Sequence, residues 1–269
     1  MNRYIITILA IACIIGLSRK QIIAQTDSIP SDTSGVLQGD TLDPGTYNII
    51  KINLFALPLK TITLQYERVI NKFLSAGLTG RYMPESTIPF KGLIYNMSGG
   101  DDPDTKKTLD NMLISNYAIS PELRFYLGKK GYGRGFYLAP AYRYAHFTID
   151  KLEYSYINSE DQKSFINMSG KMTANYGGFM IGAQWLLGKH LSLDWWIFAP
   201  FLGAEKTDLS GRTTEPISEE DQEILRQDLE NIDIPYTTTT AIVHEYGASL
   251  QMHGLIAGLS SGLAFGFRF

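Results

Sequence analysis

The residues best suited to chemistry in this chain are three histidines, His146, His244 and His253, with Glu245 and Ser249 close by in sequence. Acyl or peptide transfer by a side-chain nucleophile needs a histidine within hydrogen-bond reach of a serine or carboxylate. His244 and Glu245 are adjacent, so on an extended strand they point to opposite faces. His244 and His253 lie nine residues apart, which gives no shared face with metal-ligand spacing. The acidic run Asp101-Asp102-Pro103-Asp104 lacks the spaced oxygen ligands and trailing glutamate of a dedicated calcium loop, and reads as a solvated turn. Cys13, the one cysteine, ends a faint lipobox, Leu9-Ala10-Ile11-Ala12-Cys13, but an apolar Ile14-Ile15-Gly16-Leu17 follows where a polar tether belongs. Without that cysteine, disulfides and thiolate chemistry are excluded. The residues thus set out no catalytic constellation, no metal site and no cofactor, and the expectation is a chain that is not an enzyme.

Stepping along the chain, the elements that would position these groups are strands. Apolar and polar residues alternate around 50–54, 62–67, 74–82, 116–125, 136–145, 178–187 and 191–197, and again at the C-terminal end. There Leu263, Phe265, Phe267 and Phe269 alternate with Gly262, Ala264, Gly266 and Arg268. Period-2 patterning with one aromatic face and one small or polar face is what a strand between lipid and lumen requires. The same residues would scatter around a helix of 3.6-residue period. Outside the N-terminal segment no apolar run approaches membrane-helix length. A membrane-embedded chain of this kind must then close into a barrel to pair its backbone groups. Eight such strands predict an all-β, eight-stranded antiparallel transmembrane β-barrel with long external loops, one of them containing a short helix. A soluble β-sandwich is the competing reading of the strand pattern.

The two ends bear on location. Arg3, an apolar run from Ile5 to Leu17 and a small-residue site at Ala24-Gln25 read as a cleavable signal peptide over 1–24. Residues 25–46, rich in Ser, Thr, Asp, Gly and Pro, read as a flexible periplasmic leader, and 47–269 as the outer-membrane barrel. Phe265, Phe267 and Phe269 form the expected insertion signal, read by barrel assembly machinery. Short basic turns alternate with long polar connections, which places external loops at about 84–112, 150–170 and 206–260. Whether 237–259 is a loop hairpin or a strand extension is open.

Charge adds two features. Without Arg3, Arg19 and Lys20 the chain holds 21 basic and 27 acidic residues, and the segment 207–236 alone holds nine acids against two arginines. Within that segment, Ser218 and the acids after it look like the capped start of an amphipathic helix ending near Ile232. Its apolar face, Ile217, Ile224, Leu225, Leu229 and Ile232, is the candidate docking surface for a partner, or a lid folded over the barrel's own mouth. The acidic exterior and the absence of a phosphate-binding glycine loop argue against nucleic acid. The inward positions Glu67, Arg81, Glu122, Arg124, Arg143, Asp194 and Arg268 form the expected lumen charge network, which predicts a plugged interior because small barrels are filled by side chains and buried charges persist only when paired.

Four stretches carry a family likeness: Lys51-Ile52-Asn53-Leu54-Phe55-Ala56-Leu57-Pro58, Leu64-Gln65-Tyr66-Glu67-Arg68, Pro121-Glu122-Leu123-Arg124-Phe125-Tyr126 and Gly266-Phe267-Arg268-Phe269. With them the sequence resembles a family of small outer-membrane β-barrels of Bacteroidota, a domain of unknown function. The resemblance implies surface or assembly roles and transfers no catalytic residue. The expected function is a structural or accessory subunit of a larger outer-membrane complex for assembly, secretion or uptake, in contact with outer-membrane lipid. An outer-leaflet lipid- or peptide-modifying enzyme and a narrow channel are the alternatives.

Overall fold

The computed structural model describes residues 47–97, 103–129, 131–232 and 234–269. The expected signal peptide and leader, with Cys13, Asp101 and Asp102, lie outside the described residues.

The elements follow in the order β1 (Asn48–Asn53), a 3-10 helix (Leu54–Leu59), β2 (Ile62–Val69), β3 (Leu74–Thr87), α1 (Lys91–Met97), α2 (Pro103–Asn111), β4 (Leu113–Tyr126), β5 (Gly135–Ile157), β6 (Lys163–Leu187), β7 (Leu191–Arg212), α3 (Glu219–Glu230), β8 (Thr237–His244) and β9 (Gly247–Arg268). Every pairing is antiparallel, and β9 pairs back to β1, so β1 to β7 and β9 form a closed eight-stranded ring. β8 is an addition. It pairs with β9 over 247–254, on the edge that β1 takes over 264–268. The undecided region 237–259 is therefore both a hairpin and a strand extension.

Alternation fixes which side faces out. Ile50 stands between Tyr66 and Phe267 in register, and Leu193 and Ile52 flank Phe265. Leu78, Ile119, Leu123, Phe136, Ile181, Trp185 and Trp195 continue this exposed apolar belt around the terminal half of the barrel. A membrane-spanning barrel wall needs such a belt.

The strands are very unequal. β1 and β2 have 6 and 8 residues, whereas β5, β6, β7 and β9 have 22 to 25. About 9–11 residues suffice to cross a bilayer. One side of the ring therefore rises far beyond the membrane belt while the β1–β2 side stays low. This corrects the expected loops: 150–170 is almost wholly strand, with a turn at 158–162, and 206–260 holds the ends of β7 and β9 with α3 and β8 between them. The polar residues there alternate with inward apolar ones over short stretches, which disguised strand as loop. The first loop, expected without structure, contains α1 and α2. α2 buries only Thr105, Thr108 and Leu109, too few apolar positions to show a helical stripe.

The interior changes character along its axis. Toward the chain termini it is polar. Toward the loop end Met83, Ile94, Leu109, Met112, Ile149, Ile166, Met168, Leu250 and Met252 form a second, apolar core between the raised strands and helices α1 to α3. Among the described residues no helix is long and apolar enough to cross a membrane, which says nothing of strands.

Candidate functional site

The terminal half of the lumen is filled by one ion network. Lys51 on β1 reaches Glu67 on β2, and its Nζ lies 2.7 Å from Asp194 Oδ2 and 2.5 Å from Gln184 Oε1. Arg124 on β4 spans the same layer. Its Nη1 donates to Asp194 Oδ2 at 2.5 Å, its Nε to Glu122 Oε1 at 2.5 Å and its Nη2 to Gln65 Oε1 at 3.1 Å, while the guanidinium stacks 4.4 Å from the Tyr137 ring centroid. Tyr126 and Ser75 hydroxyls donate to Glu67 Oε1 at 2.7 and 2.6 Å, and the Tyr137 hydroxyl to Asp194 Oδ1 at 2.8 Å. Lys51, Glu67 and Asp194 are at most 1% exposed. Arg268, equally buried, donates from Nη1 to the Tyr132 carbonyl at 3.1 Å.

Small residues make room for these side chains. Gly77 stands between Glu67 and Glu122 in register, and a Cβ there would sit 2.8 Å from Glu122 Cγ. Gly182 likewise leaves the space that the Tyr137 ring occupies. Isolated buried charges cost several kcal/mol each. Here every carboxylate meets a cation and a further donor, so the layer is a plug of paired side chains.

Of the seven expected network residues, the structure joins Glu67, Glu122, Arg124 and Asp194 directly and buries Arg268 in the same half. Arg81 and Arg143 line a cavity of about 120 Å³ between the plug and the outer apolar core, together with Glu122 and Arg124. Arg143 Nε donates to Ser120 Oγ at 2.6 Å, and its Nη1 reaches the Tyr176 hydroxyl at 3.5 Å. Arg143 is thus held by neutral hydroxyls, outside the ion pairs of the plug. Sequence reasoning missed Lys51, Gln65, Gln184, Tyr126 and Tyr137. Lys51 alternates with Ile50 and Ile52, so its inward position was readable from the same period-2 pattern.

The histidines do not assemble a site. His146 stacks on Tyr117, with ring centroids 4.9 Å apart, on the outward face of β5 it shares with Tyr142 and Tyr144. His244 is exposed at the tip of β8, and His253 is exposed on β9 opposite Lys206 and Thr238. Among the described residues none of the three is bonded to a serine or carboxylate, and no group of three His, Cys, Asp or Glu side chains could hold a metal.

The acidic segment folds onto the barrel. Ser218 caps α3, its hydroxyl accepting from the Asp221 amide at 3.1 Å, with Glu219, Glu220 and Asp221 in the first turn. Ile217, Leu225, Leu229 and Ile232 are buried in the outer apolar core and Ile224 is half-buried. This corrects the expected apolar docking surface: that face is already covered by the chain's own strands, because the raised wall offers a larger apolar partner than solvent. What α3 presents outward is Glu219, Glu220, Glu223 and Asp228.

Asp221 fastens the helix to the β5–β6 turn. The Ser159 amide donates to its Oδ1 at 2.7 Å, and this bond, foremost, holds the carboxyl below its ordinary value. A depressed folded-state pKa stabilises the contact above the unfolded value and loses that stabilisation as pH falls through the folded one. Protection of the Ser159 amide against hydrogen exchange, corrected for intrinsic rate, is expected to hold at neutral pH and fall away below about pH 4. Unchanged protection in that acid range would show that Asp221 does not anchor the helix.

No curated protein matches the chain. Among solved structures, the outer membrane protease OmpT from Escherichia coli is similar over 83% of this chain and 93% of its own, at 9% identity and a TM-score of 0.33, and no functional reading rests on it. The profile of a protein family of unknown function, DUF3575, matches residues 36–227. With its polar plug and apolar cap, the chain belongs to the DUF3575 family.

Proposed function

We propose that this chain is a non-enzymatic outer-membrane β-barrel serving as a structural or accessory subunit of a larger outer-membrane complex. The carrying observation is that the interior is occupied at two levels, by the Lys51–Arg124 ion network and by the apolar core under α1 to α3. A lumen filled in this way leaves little room for ion passage, and the separated histidines offer no nucleophile–base pair. The working surface is then the exterior, where one raised wall carries an acidic helix. The acids that α3 presents favour steering toward a basic partner over tight apolar docking.

In this reading the signal peptide 1–24 is removed near Ala24-Gln25. Barrel assembly machinery inserts the chain by its terminal Phe265, Phe267 and Phe269, and the family likeness points to a bacteroidotal outer membrane. Chemical cross-linking in intact membranes, followed by gentle detergent extraction, tests the proposal. The expected product is a stoichiometric complex with cross-links at Glu219, Glu220 or Glu223. A solitary, monodisperse barrel under the same conditions would contradict the accessory role.

A further inference from the structure

The barrel wall has a seam. One edge of β9 pairs with β7 along nearly its whole length, but on the other edge β8 pairs only 247–254 and β1 only 264–268. The Leu255 amide still donates to the Tyr236 carbonyl at 3.2 Å, but among the described residues no strand pairs with that edge over 256–263. Across the seam, β2 begins at Ile62, paired with Tyr82, so the outer end of β3 also lacks a strand partner on that side. Counted from the C-terminal end, 256–263 falls within the roughly ten residues that cross a bilayer or just beyond them. Unpaired backbone at that depth is tolerated only where protein covers it or where it borders a cavity.

Both conditions are met here. The 3-10 helix covers the seam, capped by the Asn53 side chain at its start and by a left-handed Lys60 (φ 55°) at its end. Lys60 Nζ ties it to Thr87 on β3 at 3.1 Å. Leu54 and Leu57 are exposed on it, an apolar surface at the seam. Behind it lies the 120 Å³ cavity, lined by Phe55, Ala56 and Leu59 of the helix and by Ser260 and Ser261 of the seam edge. Its far wall carries Arg143, and Phe201 and Met180 line it as well.

The charged residues lining this cavity are Arg81, Arg124, Arg143 and Glu122. Glu122 is held by Arg124 at 2.5 Å and by Gln65 Nε2 at 2.8 Å. The Arg143 guanidinium meets the neutral hydroxyls of Ser120 and Tyr176, with the Tyr176 ring 5.8 Å away. A guanidinium fork is matched to a carboxylate. Size is compatible with such a ligand. The cavity's volume is several times the roughly 10–15 Å³ that admits one water, enough for a carboxylate and a few methylenes. The rest of an acyl chain would leave through the seam into the bilayer.

We propose that the cavity between plug and cap binds the carboxylate end of a single-chain fatty acid, admitted sideways from the bilayer along the seam that the 3-10 helix covers. This site is independent of any accessory role, since it needs no partner protein.

The test uses the full barrel in phosphatidylcholine nanodiscs and palmitic acid bearing a photoreactive diazirine near its carboxylate, with labelled peptides identified by mass spectrometry. Saturable labelling of the 3-10 helix and of residues 196–201 and 260–261 is expected. Unlabelled palmitate should compete, while hexadecanol and inorganic phosphate should not. Arg143→Gln removes a charge-assisted contact, so its apparent affinity should fall about tenfold or more. Arg143→Lys should recover part of that loss. Ser260→Trp fills the cavity from the seam side and should abolish labelling. Heat-modifiable migration in detergent gels confirms that each variant still folds. Labelling that does not saturate, or that marks only lipid-facing residues such as Phe136 and Ile181, would overturn the proposal, as would equal competition by hexadecanol. Displacement by inorganic phosphate would reassign the site to a soluble anion.

Discussion

Replacing Arg124 with methionine is expected to destabilise the barrel by about 3–5 kcal/mol, the usual cost of removing one partner from a buried charge network. The guanidinium is 1% exposed and contacts Asp194, Glu122, Gln65 and Gln184 while lying against Tyr137. Without it Glu122 keeps only the neutral Gln65 donor, and Asp194 must share Lys51 with Glu67. Methionine restores packing volume but supplies no donor. Arg124→Lys should recover little, because one ammonium cannot reproduce a planar fork with acceptors on several strands. Urea unfolding in detergent, followed by tryptophan fluorescence, measures the difference. A loss below about 1 kcal/mol, the range of surface ion pairs, would mean that the network does not hold the terminal half together.

The second large effect is expected at the opposite end. Leu225 and Leu229 are fully buried one helical turn apart on α3. Truncating either to alanine in a packed core costs about 2–5 kcal/mol, and as neighbours their effects will not simply add. α3 is joined to the barrel mainly through β8 and its apolar face, so the double variant is expected to release the helix without unfolding the ring. The backbone around Arg226, whose side chain is tied to Glu223 and Glu230 in the wild type, then loses its helical hold and can enter a protease. Trypsin should cut the double variant after Arg226 while its heat-modifiable migration stays normal. A variant as resistant as the wild type would show that α3 is held by something other than this apolar contact.

Much of the architecture was readable in the sequence because strand alternation reports sidedness directly. Phe265, Phe267 and Phe269, Ile50 and Ile52, and Trp185 all face outward as their spacing demands. The same alternation placed Glu67, Glu122, Arg124 and Asp194 inward. Which of the inward residues touch was not readable. That depends on the stagger of strands far apart in sequence, as with Lys51 and Asp194, and on gaps left by Gly77 and Gly182. Lys51 was overlooked even though its own pattern placed it inside.

The raised wall was hidden for a different reason. Over 150–170 and 206–212 most outward residues are polar or charged, among them Lys151, Lys163, Asn167, Lys206 and Ser210, so polarity suggested loop where the backbone continues as strand. The helix α3 was visible from its cap and its apolar stripe. The surface it packs against was not, because β5 and β8 assemble it from distant parts of the chain. The seam left no trace in the sequence beyond the brevity of β1 and the proline in the segment after it.

The most direct test of a barrel filled at both levels is electrical. Purified protein reconstituted into a planar lipid bilayer is expected to give no stepwise current under applied voltage, at neutral pH and high salt, although insertion is confirmed by its resistance to carbonate extraction. Stable, reproducible conductance steps from the wild-type protein would contradict it, since ions would then be crossing the layer where Lys51, Arg124, Glu67 and Asp194 are held together.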